Sequence, residues 1–309
     1  MTEKKASALA FVLLLLSAVA GFFLADSVRA NPYAPTFLPK ININADGTVT
    51  PDTGYISRNG NIYTLTADIN DEYSIDIWRS NIIFDGAGHT INITTADNYN
   101  VLQGVTNVTV KNLLIQTRYR AISLASCSNC TITEVKTDEQ ITLSGGNYNT
   151  IEKCVSEISV SGSYNNLIRK NNITDLYVGT GDSNLFFQNN IIFDYVPGTY
   201  FNSTNYWDNS SVGNYWITYL EKYPDASEIG YTGVGNKPYL IDTDDIDHFP
   251  LMYPYDIEND TLTLPIRKPE PFPTTLVVVA SGVSAAVIAA GCAVYLVKFR
   301  KRRREVEEP

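Results

Sequence analysis

Residues 163–193 read SYNNLIRKNNITDLYVGTGDSNLFFQNNIIF. Asn-Asn-Ile stands at Asn171–Ile173 and again at Asn189–Ile191, and each copy has an apolar residue three positions ahead, Ile168 and Phe186. Both landmarks shift by 18 residues. Followed toward the N-terminus, the same beat places apolar anchors at Phe84, Val110, Ile132, Ile151, Ile168 and Phe186, spaced 26, 22, 19, 17 and 18. Turn-like pieces precede them: RSN, VTN, CSN, GNYN, SYNN and GDSN. Three residues after the later anchors come Leu113, Val135, Cys154, Asn171 and Asn189.

Each unit is one or two short strands rich in β-branched residues. A single unit of that kind cannot bury its own apolar face, so like must stack on like. No 10-residue amphipathic run argues for helical repeats, and the Leu-x-x-Leu-x-Leu of leucine-rich repeats is missing. The expected fold is therefore all-β: a single-stranded, right-handed parallel β-helix with coils about 4.8 Å apart. Asn171 and Asn189 then share one column as a structural ladder of side-chain amides, with Cys154 in the same column one coil earlier. Open solenoid ends would expose strand edges, so both need caps. Residues 31–78 are read as N-terminal cap and first coil, 79–194 as the coils, and 195–260 as an aromatic-rich C-terminal cap.

The termini carry topology. Residues 1–30 have the order of a secretory signal peptide, with Lys4 and Lys5, an apolar run from Ala8 to Leu24, and Ala30 at a small-residue exit; an uncleaved anchor is the alternative. Residues 274–297 hold no charge and are long enough to span a bilayer as a C-terminal transmembrane helix. Lys298, Arg300, Lys301, Arg302, Arg303 and Arg304 follow, which places the 298–309 tail in the cytoplasm. Residues 261–273, with Pro265, Pro269, Pro271 and Pro273, read as a semi-rigid stalk. The expectation is a single-pass cell-membrane protein with its N-terminal domain outside.

Residues 31–273 carry 14 Lys and Arg against 28 Asp and Glu, a net charge of −14, so there is no basic footprint for nucleic acid. Cys127, Cys130 and Cys154 are too few for a disulfide framework. Cys127-Ser-Asn-Cys130 lacks the second pair a zinc site needs; it reads as a local disulfide or as two satisfied small side chains. Seven sequons, at Asn92, Asn107, Asn129, Asn172, Asn202, Asn209 and Asn259, are glycosylation candidates.

RSNIIFDGAGHTI (79–91), GNYW (213–216) and PYLIDTDDIDHFPLMYP (238–254) resemble the NosD-like parallel β-helix proteins of archaeal cell surfaces, within the wider group of carbohydrate-binding and sugar-hydrolase β-helices. The resemblance implies the fold and a surface location, and it raises copper delivery as one reading. Soft ligands for copper are few and scattered: His89, His248, Met252 and the three cysteines. No cofactor is expected. The alternative is calcium on Asp242, Asp244, Asp245 and Asp247, although their spacing departs from an EF-hand loop.

Catalysis on such a scaffold needs converging carboxylates, or a base with an arginine. The candidates Asp85, Asp97, Glu134, Asp138, Glu139, Glu152, Arg118, Arg120 and Arg169 show no pair repeating at coil spacing. Aromatic residues are dense from Tyr195 to Tyr255, and Tyr206, Trp207, Tyr215 and Trp216 are the ligand-binding candidates, with Tyr206 and Trp207 as the exposed platform. The favoured reading is non-catalytic binding of glycan, envelope or surface-layer components. A polysaccharide lyase or hydrolase and a metal-delivery accessory are the alternatives.

Overall fold

The structure, a computed structural model, describes residues 38–94, 99–193 and 203–263. The signal segment, most of the stalk, the 274–297 span, the basic tail, Asp97 and the Asn202 sequon lie outside the described residues. Among the described residues no helix is long and apolar enough to cross a membrane.

Parallel strands wind into a β-solenoid of about seven turns. Each coil contributes a strand to three sheets. The first sheet stacks Ile62–Leu65, Ile82–Asp85, residues 108–111, residues 131–133, Thr150–Glu152, Leu167–Arg169 and Leu185–Phe187. Its register is the one the anchors predict: Phe84 pairs with Val110, Val110 with Ile132, Ile132 with Ile151, Ile151 with Ile168 and Ile168 with Phe186. Tyr63 extends the column by a coil on the N-terminal side, and every member is buried. The uneven spacing of the anchors is absorbed in the corners, which grow or shrink while the strands keep their pairing.

One residue in the left-handed region turns the chain from the first sheet into the second. Asn112, Glu134, Lys153, Lys170 and Gln188 hold it in successive coils, with φ between 54° and 57°. The second sheet follows with Thr90–Ile93, residues 113–117, residues 135–137, and the strands through Asn172 and Asn190 to Tyr215–Trp216. The third stacks Lys40–Ile43, Ser74–Ile77, Asn100–Gln103, Arg120–Ala125, residues 140–144, 157–161 and 175–178. Inside, Ile77, Leu102, Leu124, Leu143, Val160 and Val178 form one buried column of this sheet.

Among the described residues, antiparallel pairings appear only toward the ends of the stack. Ile56–Asn59 folds back on Ile62–Leu65, and Val49–Thr50 on Lys40–Ile43. At the far end Trp207 stacks on Phe186 at 4.6 Å, Trp216 lies 5.7 Å from Trp207, and Tyr239 stacks on Trp216 at 4.3 Å. These rings continue the core past the last coil, so the terminal strand edges meet apolar cover instead of water.

Candidate functional site

Two ladders of buried asparagines run down the corners, and both shape the C-terminal end. In the first, Asn171 Oδ1 accepts the Cys154 N–H at 2.9 Å, while Asn171 Nδ2 donates to Asn189 Oδ1 at 3.0 Å. Asn189 Nδ2 donates to Asn214 Oδ1 at 2.9 Å, and the Asn214 N–H donates to Asp247 Oδ2 at 2.7 Å. The second ladder was not legible as one. Cys130 N–H donates to Asn149 Oδ1, and Asn149, Asn166, Asn184 and Asn205 then bond side chain to side chain at 2.9–3.1 Å. It closes where the Asn205 N–H donates to Asp245 Oδ1 at 3.2 Å. Its signal was present in GNYN, SYNN and GDSN, whose final residues Asn149, Asn166 and Asn184 step by 17 and 18. Each ladder therefore begins at a cysteine and ends at an aspartate.

This geometry divides the four aspartates considered for calcium. Asp245 and Asp247 are buried and terminate the ladders, while Asp242 and Asp244 are exposed. Asp242 Oδ1 accepts the N–H groups of Asp244 and Asp245, which shapes the turn. Asp247 also accepts from Trp216 Nε1 at 2.9 Å and from the Phe249 N–H at 3.0 Å. Burial still pushes its carboxyl up to about 7. Burial raises Asp245 as well. Among the described residues, no three His, Cys, Asp or Glu side chains are grouped to hold a metal ion.

The aromatic candidates also separate. Trp207 is 1% exposed and Trp216 is buried, so the expectation of an exposed Trp207 is corrected: its indole fills the space above Phe186, where stacking outweighs solvation. Tyr215 is half-buried. Tyr206, one residue away and bridged to Leu185, is 55% exposed.

Tyr206 lines a cleft of about 400 Å³ with Thr204, Asp208, Ser210, Asp244 and His248. Asp208 Oδ2 accepts both the His248 N–H and Nδ1, each at 3.0 Å, which fixes the imidazole at the rim. Asn205 Nδ2 in this wall is buried without a hydrogen-bond partner, while the Trp207 indole N–H is engaged by the Asp245 carboxylate behind it. Unsatisfied buried groups are uncommon and call for an explanation. A second cleft, of about 380 Å³, lies between the first corner and Ile257–Glu258, with Glu134, Lys136 and Lys153 in its walls.

Two of the carboxylates weighed for catalysis sit in ordinary ion pairs. Asp85 pairs with Lys111 at 2.9 Å, and Glu152 with Arg169 at 2.8 Å. Arg120 lies over the Tyr99 ring at 5.4 Å. Asp138 and Glu139, in contrast, come together with Glu157 of the next coil, with no ion pair from these three among the described residues.

All three described cysteines are free and buried. Cys127 Sγ donates to Leu102 O at 3.3 Å and Cys154 Sγ to Glu152 O at 3.2 Å. The Cys130 thiol is raised, first by its hydrogen bond with Cys127 and then by burial, and burial pushes Cys154 up to about 12. His89 is engaged elsewhere, with Asp68 at 3.1 Å. The Cys-x-x-Cys does not open to solvent, and the two satisfied small side chains are what the structure contains. Of the sequons, Asn107, Asn129, Asn209 and Asn259 are exposed, whereas Asn92 and Asn172 are half-buried.

No protein family, curated protein or solved structure matches this chain.

Proposed function

We propose that this protein is a NosD-like, membrane-anchored β-solenoid that binds hydroxyl-rich glycan of the cell envelope or its surroundings without turning it over. The observation that carries the reading is the Tyr206 cleft. An exposed phenol ring, free to stack on a sugar face, stands beside the hydroxyls, carboxylates and imidazole of Thr204, Ser210, Asp208, Asp244 and His248. The unpartnered Asn205 Nδ2 in the same wall adds a polar group without a bond inside the protein. Placement at the outer surface is supported by the charge-free run 274–297 and the basic cluster after it.

Tyr206→Ala tests the reading on the purified full chain, kept free of sugar-based detergents. Binding to a glycan array should fall while the melting temperature stays. Release of reducing ends or unsaturated products by the wild-type chain would replace this reading with the enzymatic one.

A further inference from the structure

The outward face of the third sheet differs from the other surfaces of the solenoid. Ser123, Thr142 and Ser159 lie between inward-facing pairs (Ile122 and Leu124, Ile141 and Leu143, Ile158 and Val160) and so point away from the core. They stack in register, Ser123 on Thr142 and Thr142 on Ser159, one strand spacing or about 4.8 Å apart. Although they face outward, they are only 6–7% exposed. The Ser123 and Ser159 hydroxyls make no hydrogen bond within the described residues. Between them Thr142 Oγ1 donates to Gln140 Oε1 at 3.0 Å, so the row, read as the floor of a trough, holds two nine-tenths-buried, outward-facing hydroxyls without a partner.

The walls follow from corner lengths. Val135 pairs with Leu113 and Ile141 with Ile122, so the earlier coil takes nine residues over a stretch its neighbour covers in six. Lys136 pairs with Val155 and Gln140 with Glu157, so the next step drops two more residues. The corner therefore steps outward through Asp138 and Glu139 beside Glu157. On the other flank the neighbours are small: Ala125, Ser144 and Ser161, then Gly145 and Gly162. At the C-terminal end Tyr177, 40% exposed, lies over Gly179, where an added Cβ would meet the ring at 3.0 Å. The ring thus lies along the sheet at the end of the hydroxyl row instead of standing up from it.

Among the described residues no ion pair engages Asp138, Glu139 or Glu157, although Arg120 stands in register with Gln140 one coil earlier. Burial first, and then Asp138, raises Glu139. Burial first, and then Asp175, Glu139 and Asp138, raises Glu157. A cation held beside these groups would relieve that repulsion, and an anion would add to it.

We propose that this trough is a second glycan site, for a linear polysaccharide lying along the solenoid axis and bearing protonated amino groups. Its hydroxyls would bond to Ser123, Thr142 and Ser159, one sugar would stack on Tyr177, and its ammonium groups would face Asp138, Glu139 and Glu157. The inference rests on the reading of the protein as a glycan binder but assigns a different surface and a charge preference.

The test uses the full chain, with end-labelled hexamers of glucosamine, glucose and galacturonate at low salt and neutral pH. The glucosamine hexamer should bind tightest and the galacturonate hexamer weakest, with the glucosamine affinity falling as salt rises. Thr142→Arg should weaken glucosamine binding about tenfold or more, a steric and charge block. Ser161→Arg, on the half-buried flank, should act the same way if Thr142→Arg lowers the melting temperature. The preference for the glucosamine hexamer over the galacturonate hexamer should persist in Tyr206→Ala. Equal binding of the three hexamers, or full affinity in the folded Arg variants, would overturn the trough. If only Tyr206→Ala removes hexamer binding, the trough falls and the proposed function stands; if wild type binds no glycan, both fall.

Discussion

Asn171→Ala isolates the contribution of one rung of the first ladder. Asn171 Oδ1 accepts the Cys154 N–H at 2.9 Å, and its Nδ2 donates to Ile151 O and Asn189 Oδ1, each at 3.0 Å. Alanine removes these three bonds and keeps the fourth, in which the Asn171 backbone N–H donates to Asn189 Oδ1 at 3.1 Å. At about 1 kcal/mol net for each buried bond, the loss is roughly 3 kcal/mol. The orphaned Cys154 N–H, fully desolvated, pushes the cost toward the upper part of a range of about 2–5 kcal/mol. For a domain of this size, each kcal/mol moves the melting temperature by about 2–4 °C, so a drop of about 6–12 °C is expected. Circular dichroism at 218 nm or so, where strand signal dominates, follows the transition, with urea melts as a second measure. Arg169→Ala provides the comparison, since its ion pair with Glu152 is half-exposed and should cost at most about 1 kcal/mol. If Asn171→Ala shifts the transition no more than Arg169→Ala, the ladder does not stabilise the stack and the accounting above is wrong.

Asp247, pushed up to about 7 by burial, should make the protein less stable as pH rises. Between about 4 and 7 the unfolded carboxyl has released its proton and the folded one has not, so unfolding gains with pH, by at most about 4 kcal/mol in total. Thermal melts from pH 4 to 8 should show this decline, and a flat or rising curve, or the same slope in Asp247→Asn, would contradict it. Trp207→Ala should cost roughly 3–5 kcal/mol because it empties the space between Phe186 and Trp216, in contrast to the neighbouring Tyr206→Ala; equal melting temperatures for the two variants would show the assignment of inside and outside to be reversed. The proposed topology predicts that protease added to intact cells removes the outer domain and spares a tag placed after Pro309, and loss of the tag would reject it.

The solenoid was legible because its rule is local and repeated. Strand pairing between coils requires only that Phe84, Val110, Ile132, Ile151, Ile168 and Phe186 recur with a corner of tolerable length between them. One dimension of sequence maps directly onto one axis of stacking, so counting along the chain recovers the register. Asn171 over Asn189 follows from the same count. The second ladder had the same period and was missed because Asn is also an ordinary turn residue.

The ends of the ladders were beyond any count. Asn214 and Asp247 are 33 residues apart and Asn205 and Asp245 are 40 apart, joined by loops with no period. Only the closed structure brings those carboxylates under the aromatic cap, and in doing so takes Asp245 and Asp247 out of the acidic turn that looked like a cation loop. The same holds for Tyr206 and Trp207. Composition marked both as aromatic, but which ring faces water depends on how the chain at 206–207 crosses the end of the stack, where Trp207 lands on Phe186. That is a matter of packing in three dimensions, set by residues that no local pattern connects.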